Sequence, residues 1–329
     1  MIEIGYALSS EEHGPTDLLK QAQLAEDAGI ESIWISDHFH PWLDEQGQSP
    51  FVWSVIGAIA ASTDLLVTTA VTCPTMRIHP AIIAQASATS AVLLEGRFEL
   101  GIGSGENLNE HIFGDKWPRT DERLEMLEEA VEVIRELWGG ANTSHHGKHY
   151  RIEDARIYSL PDTPPRIVMS GFGPKSTALA ARIADGFVTT SADKKFVDMY
   201  RAEGGTGTVD GALKICWGPD RDDCAKVAHR LWRTSGLPGQ LAQDLRTPAL
   251  FEQAAELVSV ESMAEHIPCG PDVDPIVNAA KEYVDAGFDR VYLTQVGPQQ
   301  AEFFEFFTKD LAPALADIGM MPGRNAASG

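Results

Sequence analysis

The chain has 329 residues, 43% of them hydrophobic, enough to bury a large core as one big α/β domain or two ordinary ones. Its 48 acidic against 26 basic residues give a net charge of −22, which repels nucleic-acid phosphates and anionic lipid and argues against either as a partner. Cys73, Cys216, Cys224 and Cys269 show no C-x-x-C spacing, Met1 is followed by no basic and apolar leader, and no apolar run reaches membrane length, so buried reduced thiols in a cytoplasmic protein are expected.

Short β-type runs alternate with helical patterns along the chain. Residues 2–7 read as a strand and 15–28 as a helix with one apolar face, closed by Gly29. A strand over 32–36, a helix over 51–61, a β-branched strand over 65–71, an Ala-rich helix over 79–94 and a strand over 97–102 follow. Leu124, Leu127, Val131, Ile134, Leu137 and Trp138 recur at helical spacing, which sets a helix over 119–138 stopped by Gly139-Gly140.

A polar, hairpin-like excursion over 144–160 interrupts the pattern before it resumes. Strands over 166–170, 186–190 and 212–217 each lead into a helix, beginning at Pro174, near Phe196 and at Asp222. Residues 233–273 form an insertion with a helical stretch at 250–257. A helix over 274–286, a strand over 290–294 and a closing helix over 299–311 complete the series, and residues 321–329 read as a flexible tail. Eight strands with helical partners predict a single (β/α)8 TIM-barrel domain over 1–329, with insertions after the fourth and seventh strands; an eight-stranded open sheet is the alternative.

A barrel predicts that functional residues collect at the C-terminal ends of several strands. Glu11 and Glu12 follow the first strand, His38 and Trp42 the second, Thr72 and Cys73 the third, residues 104–109 the fourth, 170–175 the fifth, and Thr190 and Ser191 the sixth. Gly101-Ile102-Gly103-Ser104-Gly105-Glu106 has the opening of a dinucleotide fingerprint with its third glycine misplaced, and reads better as a bare strand end against which a flat ring could lie. Gly171-Phe172-Gly173-Pro174-Lys175 places free N–H groups and a cation at a helix start, where an anion could sit.

Ser36-Asp37-His38-Phe39-His40-Pro41-Trp42, Thr72-Cys73-Pro74-Thr75-Met76-Arg77, the run from Gly103 to Glu110 and Ser170-Gly171-Phe172-Gly173-Pro174-Lys175 together resemble the deazaflavin-dependent dehydrogenases of the luciferase-like barrel superfamily, close to those that use coenzyme F420 on glucose 6-phosphate or secondary alcohols. The resemblance implies a two-electron deazaflavin cofactor, with flavin mononucleotide as the lesser alternative, and a homodimer. It implies His38 as the general base that takes the hydroxyl proton, Trp42 as the aromatic wall of the reacting group, and Glu106 as the acid that manages the proton on the reduced ring. Asp37, one position from His38, would point toward the cofactor. The resemblance places Ala70-Val71 on a non-proline cis peptide. Cys73, Ser104, Gly105, Asn109, Gly173, Lys175 and Ser176, with the adjoining Ser170, Gly171 and Phe172, fall on positions that hold the ring and the phosphate of the tail.

Glu11, Thr190 and Trp232 match residues near the substrate mouth. Sugar-phosphate members of the family bind the phosphate with cations, and the matching positions here carry Asp193 or Lys194, Gln253 and His266. An unphosphorylated sugar or a secondary alcohol is therefore favoured over glucose 6-phosphate, whose dehydrogenase is the alternative. The H-x-H of His38 and His40 also reads as part of a metal-dependent hydrolase, but later strand ends would then supply ligands, and they carry Ser170, Thr190 and Gln295, so no metal is expected. A flavin monooxygenase of the same superfamily and a non-catalytic deazaflavin carrier are the remaining readings.

Overall fold

The computed structural model describes residues 1–323. Its strands are β1 (Ile2–Leu8), β2 (Ser32–Ile35), β3 (Leu66–Thr69), β4 (Phe98–Ile102), β5 (Thr143–His146), β6 (Arg151–Ala155), β7 (Arg166–Ser170), β8 (Gly186–Val188), β9 (Thr208–Ile215), β10 (Arg290–Gln295) and β11 (Met320–Met321). Eight of them, β1-β2-β3-β4-β7-β8-β9-β10, run parallel in that order, and β10 pairs back onto β1 with Leu293 opposite Tyr6, so the sheet is a closed barrel. The open-sheet alternative is thereby excluded. β5 and β6 form the antiparallel hairpin expected between the fourth and fifth barrel strands.

Strand alternation divides the apolar residues into two layers. One set packs outward against the helices, of which Thr120–Trp138, Pro80–Leu93 and Val273–Ala286 are the longest among the described residues. The inward set centres on Trp34 and Tyr292, whose rings stack at 4.0 Å, with Val168, Val188, Ala7, Ala70 and Ala212 around them. This stack fills the middle of the barrel. Gly5 makes room for it, because a Cβ there would stand 2.4 Å from the Tyr292 ring. Large aromatics below and small alanines above leave a flat floor at the C-terminal end of the strands.

Several boundaries differ from the sequence reading for local reasons. β3 ends at Thr69; the Ala70–Val71 peptide that follows is cis, and Thr72 pairs again with Ile102. β9 begins at Thr208 rather than at residue 212; its first half carries Asp210 and Gly211, which look unlike a strand but respectively face a buried arginine and pack against Tyr283. The closing helix runs from Gln300 past a wider turn at Phe307–Leu311 and on to Asp317, the wide turn accommodating Pro313. The insertion holds three short helices, Leu241–Asp244, Pro248–Ala255 and Val260–His266. Met320 and Met321 pair with Ile2 and Glu3, so the expected flexible tail does not begin at 321; residues 324–329 lie outside the described residues. No described helix is long and apolar enough to cross a membrane.

Candidate active site

A cleft of about 500 Å³ opens above the Trp34–Tyr292 stack, at the C-terminal end of the barrel. Its floor is made by Ala7, Trp34, Ala70, Val188 and Ala212. Glu11, His38 and Trp42 stand on one wall, Glu106 is contributed by the loop after β4, and Ser170 and Phe172 come from the end of β7. Residues from distant strand ends thus meet in one space, as a barrel requires.

His38 is held at both nitrogens. Nδ1 lies 3.1 Å from the His40 carbonyl oxygen, to which it can only donate, and Nε2 faces Glu11 Oε1 at 3.4 Å. The Trp42 ring lies 5.0 Å from the imidazole and meets Phe251 of the insertion edge-on at 5.2 Å. The Glu11 carboxylate is buried; burial pushes its pKa up, but the facing His38 and the hydroxyls of Ser36 (2.7 Å) and Ser9 (3.0 Å) outweigh this and hold it below the ordinary range. A charged carboxylate therefore faces His38 Nε2.

Asp37 does not face the cleft. Its carboxylate is buried behind the wall in an internal ion pair, accepting hydrogen bonds from Thr72 Oγ1 at 2.8 Å and Arg77 Nη2 at 2.7 Å. The same guanidinium approaches Glu110 at 3.6 Å, and the Arg77 backbone N–H donates to that carboxylate at 2.7 Å. Burial nevertheless pushes the Glu110 carboxyl up to about 7. Cys73 is likewise behind the wall: its thiol sits under Gly105, where a Cβ would come within 2.6 Å of Sγ, and Gly105 itself has φ +76°. Asn109 Oδ1 accepts from the Phe39 and His40 N–H groups at 2.8 and 3.1 Å, so it shapes the His38 loop from behind.

Of the other expected cofactor contacts, Ala70, Val71, Ser170 and Phe172 line the cleft, while Ser104, Gly105, Asn109, Gly171, Gly173, Lys175 and Ser176 do not. Ser176 Oγ accepts from the Gly173 N–H at 3.3 Å and donates to the Gly173 carbonyl at 3.0 Å at the start of the helix Pro174–Ile183, and exposed Lys175 pairs with Asp121 at 2.5 Å. The first-turn N–H groups of that helix follow directly on Phe172 and suit an anion. A planar apolar tricycle with a phosphate-bearing tail fits this arrangement: small side chains floor the cleft, a carboxyl stands on its wall, and a helix amino end lies beyond one edge.

The expected substrate residues divide in the same way. Glu11, Thr190 and Trp232 line the cleft. Lys194, Gln253 and His266 are exposed and outside it; Lys194 pairs with Asp198, and His266 Nδ1 turns back to the Ser262 carbonyl at 2.7 Å. Helical phase explains Gln253, since Phe251, two residues earlier, is the side chain that this helix turns inward. The sequence reading missed Phe251, Thr234 and Lys214, all of which line the cleft. For Lys214 a signal existed: it lies two residues after Ala212 in β9, on the same face.

Fold and site together define a barrel oxidoreductase, and residues 1–290 match the family described as luciferase-like monooxygenase; the chain belongs to this luciferase-like family. Its similarity to particular members is close to full length. The F420-dependent glucose-6-phosphate dehydrogenase of Microbacterium testaceum is 33% identical, with 95% of this chain and 97% of the relative covered. That of Kribbella flavida is 35% identical, covering 97% and 99%. Among solved structures, an F420-dependent secondary alcohol dehydrogenase in complex with an F420–acetone adduct superposes with a TM-score of 0.88 at 28% identity, covering 95% of this chain and 99% of the other. The coenzyme F420-dependent tetrahydromethanopterin reductase of Methanopyrus kandleri, at 21% identity and a TM-score of 0.74, shares the fold.

Proposed function

We propose that this protein is an F420-dependent dehydrogenase that removes hydride from the C–H of a sugar or secondary alcohol, with His38 as the base. The observation that carries the proposal is the convergence of His38 and Glu106, from different strand ends, on one apolar-floored cleft. The two dehydrogenase relatives and the secondary alcohol dehydrogenase structure support the choice of cofactor and of CH–OH chemistry. When bound, the deazaflavin supplies the carbon that accepts hydride.

The chain's own residues supply the proton chemistry. With Nδ1–H donated to the His40 carbonyl, the neutral ring keeps its lone pair on Nε2, where it can take the substrate's hydroxyl proton. Glu11 then faces the imidazolium so formed, an arrangement worth more in a partly dry cleft than in water. Trp42, braced by Phe251, limits the ways an alcohol carbon can approach. Ala70, Val71 and Phe172 would line the ring, Glu106 would serve as the second proton-carrying group, and the helix start at Pro174 would take the phosphate.

The positions that carry cations in sugar-phosphate enzymes place no positive group on the cleft here, which favours an unphosphorylated substrate over glucose 6-phosphate. Homodimerisation in the cytoplasm belongs to the same proposal; exposed Phe51, Ile82 and Leu93, on or beside the neighbouring helices Val52–Ala60 and Pro80–Leu93, support an intersubunit face. The test is a panel of alcohols, free sugars and sugar phosphates, read by bleaching of the oxidised deazaflavin's visible absorbance. Bleaching by free sugars or alcohols is expected; oxygen uptake with reduced flavin mononucleotide and no bleaching would overturn it.

A further inference from the structure

Lys214 occupies the substrate end of the cleft in a setting that calls for a ligand. Together with Ala212 it faces into the cleft from the last turn of β9, while the alternate residues Leu213 and Ile215 are buried among the barrel's outer apolar layer. Its ammonium lies 4.3 Å from the centre of the Trp232 ring. It has no hydrogen bond and no ion pair among the described residues, and it is the one lysine or arginine among those that line the cleft. An ammonium carries three donors, and leaving them unmatched away from water is costly.

The neighbours decide what would match them. Trp232 is fixed by donating its indole N–H to Glu12, and Glu12 also accepts from the Gly297 N–H at 2.9 Å. Burial pushes Glu12 up to about 7 and pushes Lys214 down, with the carboxylates of Glu11 and Glu12 opposing the loss of its charge. A phosphate dianion placed here would meet one cation and two carboxyl groups, a poor exchange for its hydration. A hydroxyl oxygen accepts from an ammonium without bringing charge.

We propose that Lys214 is a specificity-determining residue that anchors a second hydroxyl of the substrate, so that the enzyme prefers polyhydroxylated alcohols, unphosphorylated sugars among them, to monohydric secondary alcohols. This rests on the alcohol-oxidising reading above and deepens it. His38 acts on the hydroxyl that is oxidised, and Lys214, on a strand across the barrel mouth, holds another.

The test measures kcat/KM with bound oxidised deazaflavin for a monohydric secondary alcohol such as 2-propanol, a free aldose, and the aldose lacking one hydroxyl at a time. Lys214→Met is expected to lower kcat/KM for the aldose roughly 10- to 100-fold, mainly through KM, and to lower that for 2-propanol far less. One deoxy aldose should be a correspondingly poor substrate for the unmodified enzyme and lose nothing more in the variant. Equal losses on both substrates, or none on the aldose, would overturn the assignment. Should the variant fail to fold, the deoxy series on the unmodified enzyme decides: a drop at one position besides the oxidised carbon supports the anchor, and a series flat at every other position removes it. Oxidation of 2-propanol but not of the aldose removes the anchor and leaves the dehydrogenase standing, whereas no oxidation of any alcohol means that the dehydrogenase reading itself has failed.

Discussion

The barrel buries charge at both ends, and the two ends use it differently. At the N-terminal end, Arg290 is surrounded by Glu3 at 3.2 Å, Glu99 at 3.3 Å, Asp210 at 3.7 Å and the Tyr292 hydroxyl at 2.8 Å, while Arg166 reaches Glu99 at 2.6 Å. Every member sits on a strand: β1, β4, β7, β9 or β10. At the C-terminal end, Glu11 and His38 pair on loops beside an open cleft, with Asp37, Arg77 and Glu110 as a support behind them. The lower cluster sits below the Trp34–Tyr292 stack and ties five strands into register. The upper one leaves Glu11 and His38 facing the cleft. The same residue types thus meet only fixed partners on the strands at one end, and at the other keep one face open to a ligand.

The largest expected effect separates the two ends outright. Replacing His38 with Ala should lower kcat roughly 10²- to 10⁴-fold while the deazaflavin dissociation constant, followed by absorbance titration, stays nearly constant. Turnover that survives the change would remove the base. At the other end, Arg290→Met leaves Glu3, Glu99 and Asp210 without their shared cation and should cost about 3–5 kcal/mol in denaturant unfolding. The kcat of the protein still folded should be unaltered; an unchanged midpoint would show that the lower cluster does not hold the barrel.

Glu11→Gln sharpens the contrast further, because Glu11 has both roles. Loss of the carboxylate facing His38 should lower kcat roughly 10- to 100-fold with little change in cofactor affinity. Its pKa is depressed in the folded state, so its stabilisation is present above the ordinary carboxylate value and lost as pH falls through the lower folded one. Thermal melts should show that acid loss in the unmodified protein and less of it in the variant. The smallest effect has the opposite sign. Burial raises Asp210 to about 7, against about 4 for an unfolded chain, so the folded state keeps a proton that the unfolded state has lost and stability falls as pH rises through that window. Asp210→Asn should melt progressively higher than the unmodified protein between about pH 4 and 7, without a change in kcat; a constant difference across that range would show that Asp210 does not titrate there.

Much of the fold was legible because a barrel repeats a local signal. Each β-branched run followed by a helical period can be read without knowing its neighbours, and the helix at Thr120–Trp138 shows this at its clearest. Where a strand carries residues for a distant partner, the signal weakens: Asp210 and Gly211 disguise the first half of β9 because one faces Arg290 and the other makes room for Tyr283. The His38 and Glu106 loops were legible for a related reason, since glycines, histidines and carboxylates at strand ends stand out against an apolar background. For Asp37, alternation gives the side of the chain on which the residue lies and not what waits there, which is Arg77.

The sequence alone determined the order of strands and helices and the strand ends at which polar side chains cluster, because these follow from periodicity and chain direction, while the β1–β10 pairing in the structure closed the barrel. The tertiary structure decided which of those side chains share a cleft: Phe251 inside and Gln253 outside one short helix, Glu11 against His38, and Lys214 facing Trp232 with no oxygen partner among the described residues. Such pairings join residues far apart in the chain, and their distances depend on how whole helices and loops settle against the barrel, which no local pattern encodes.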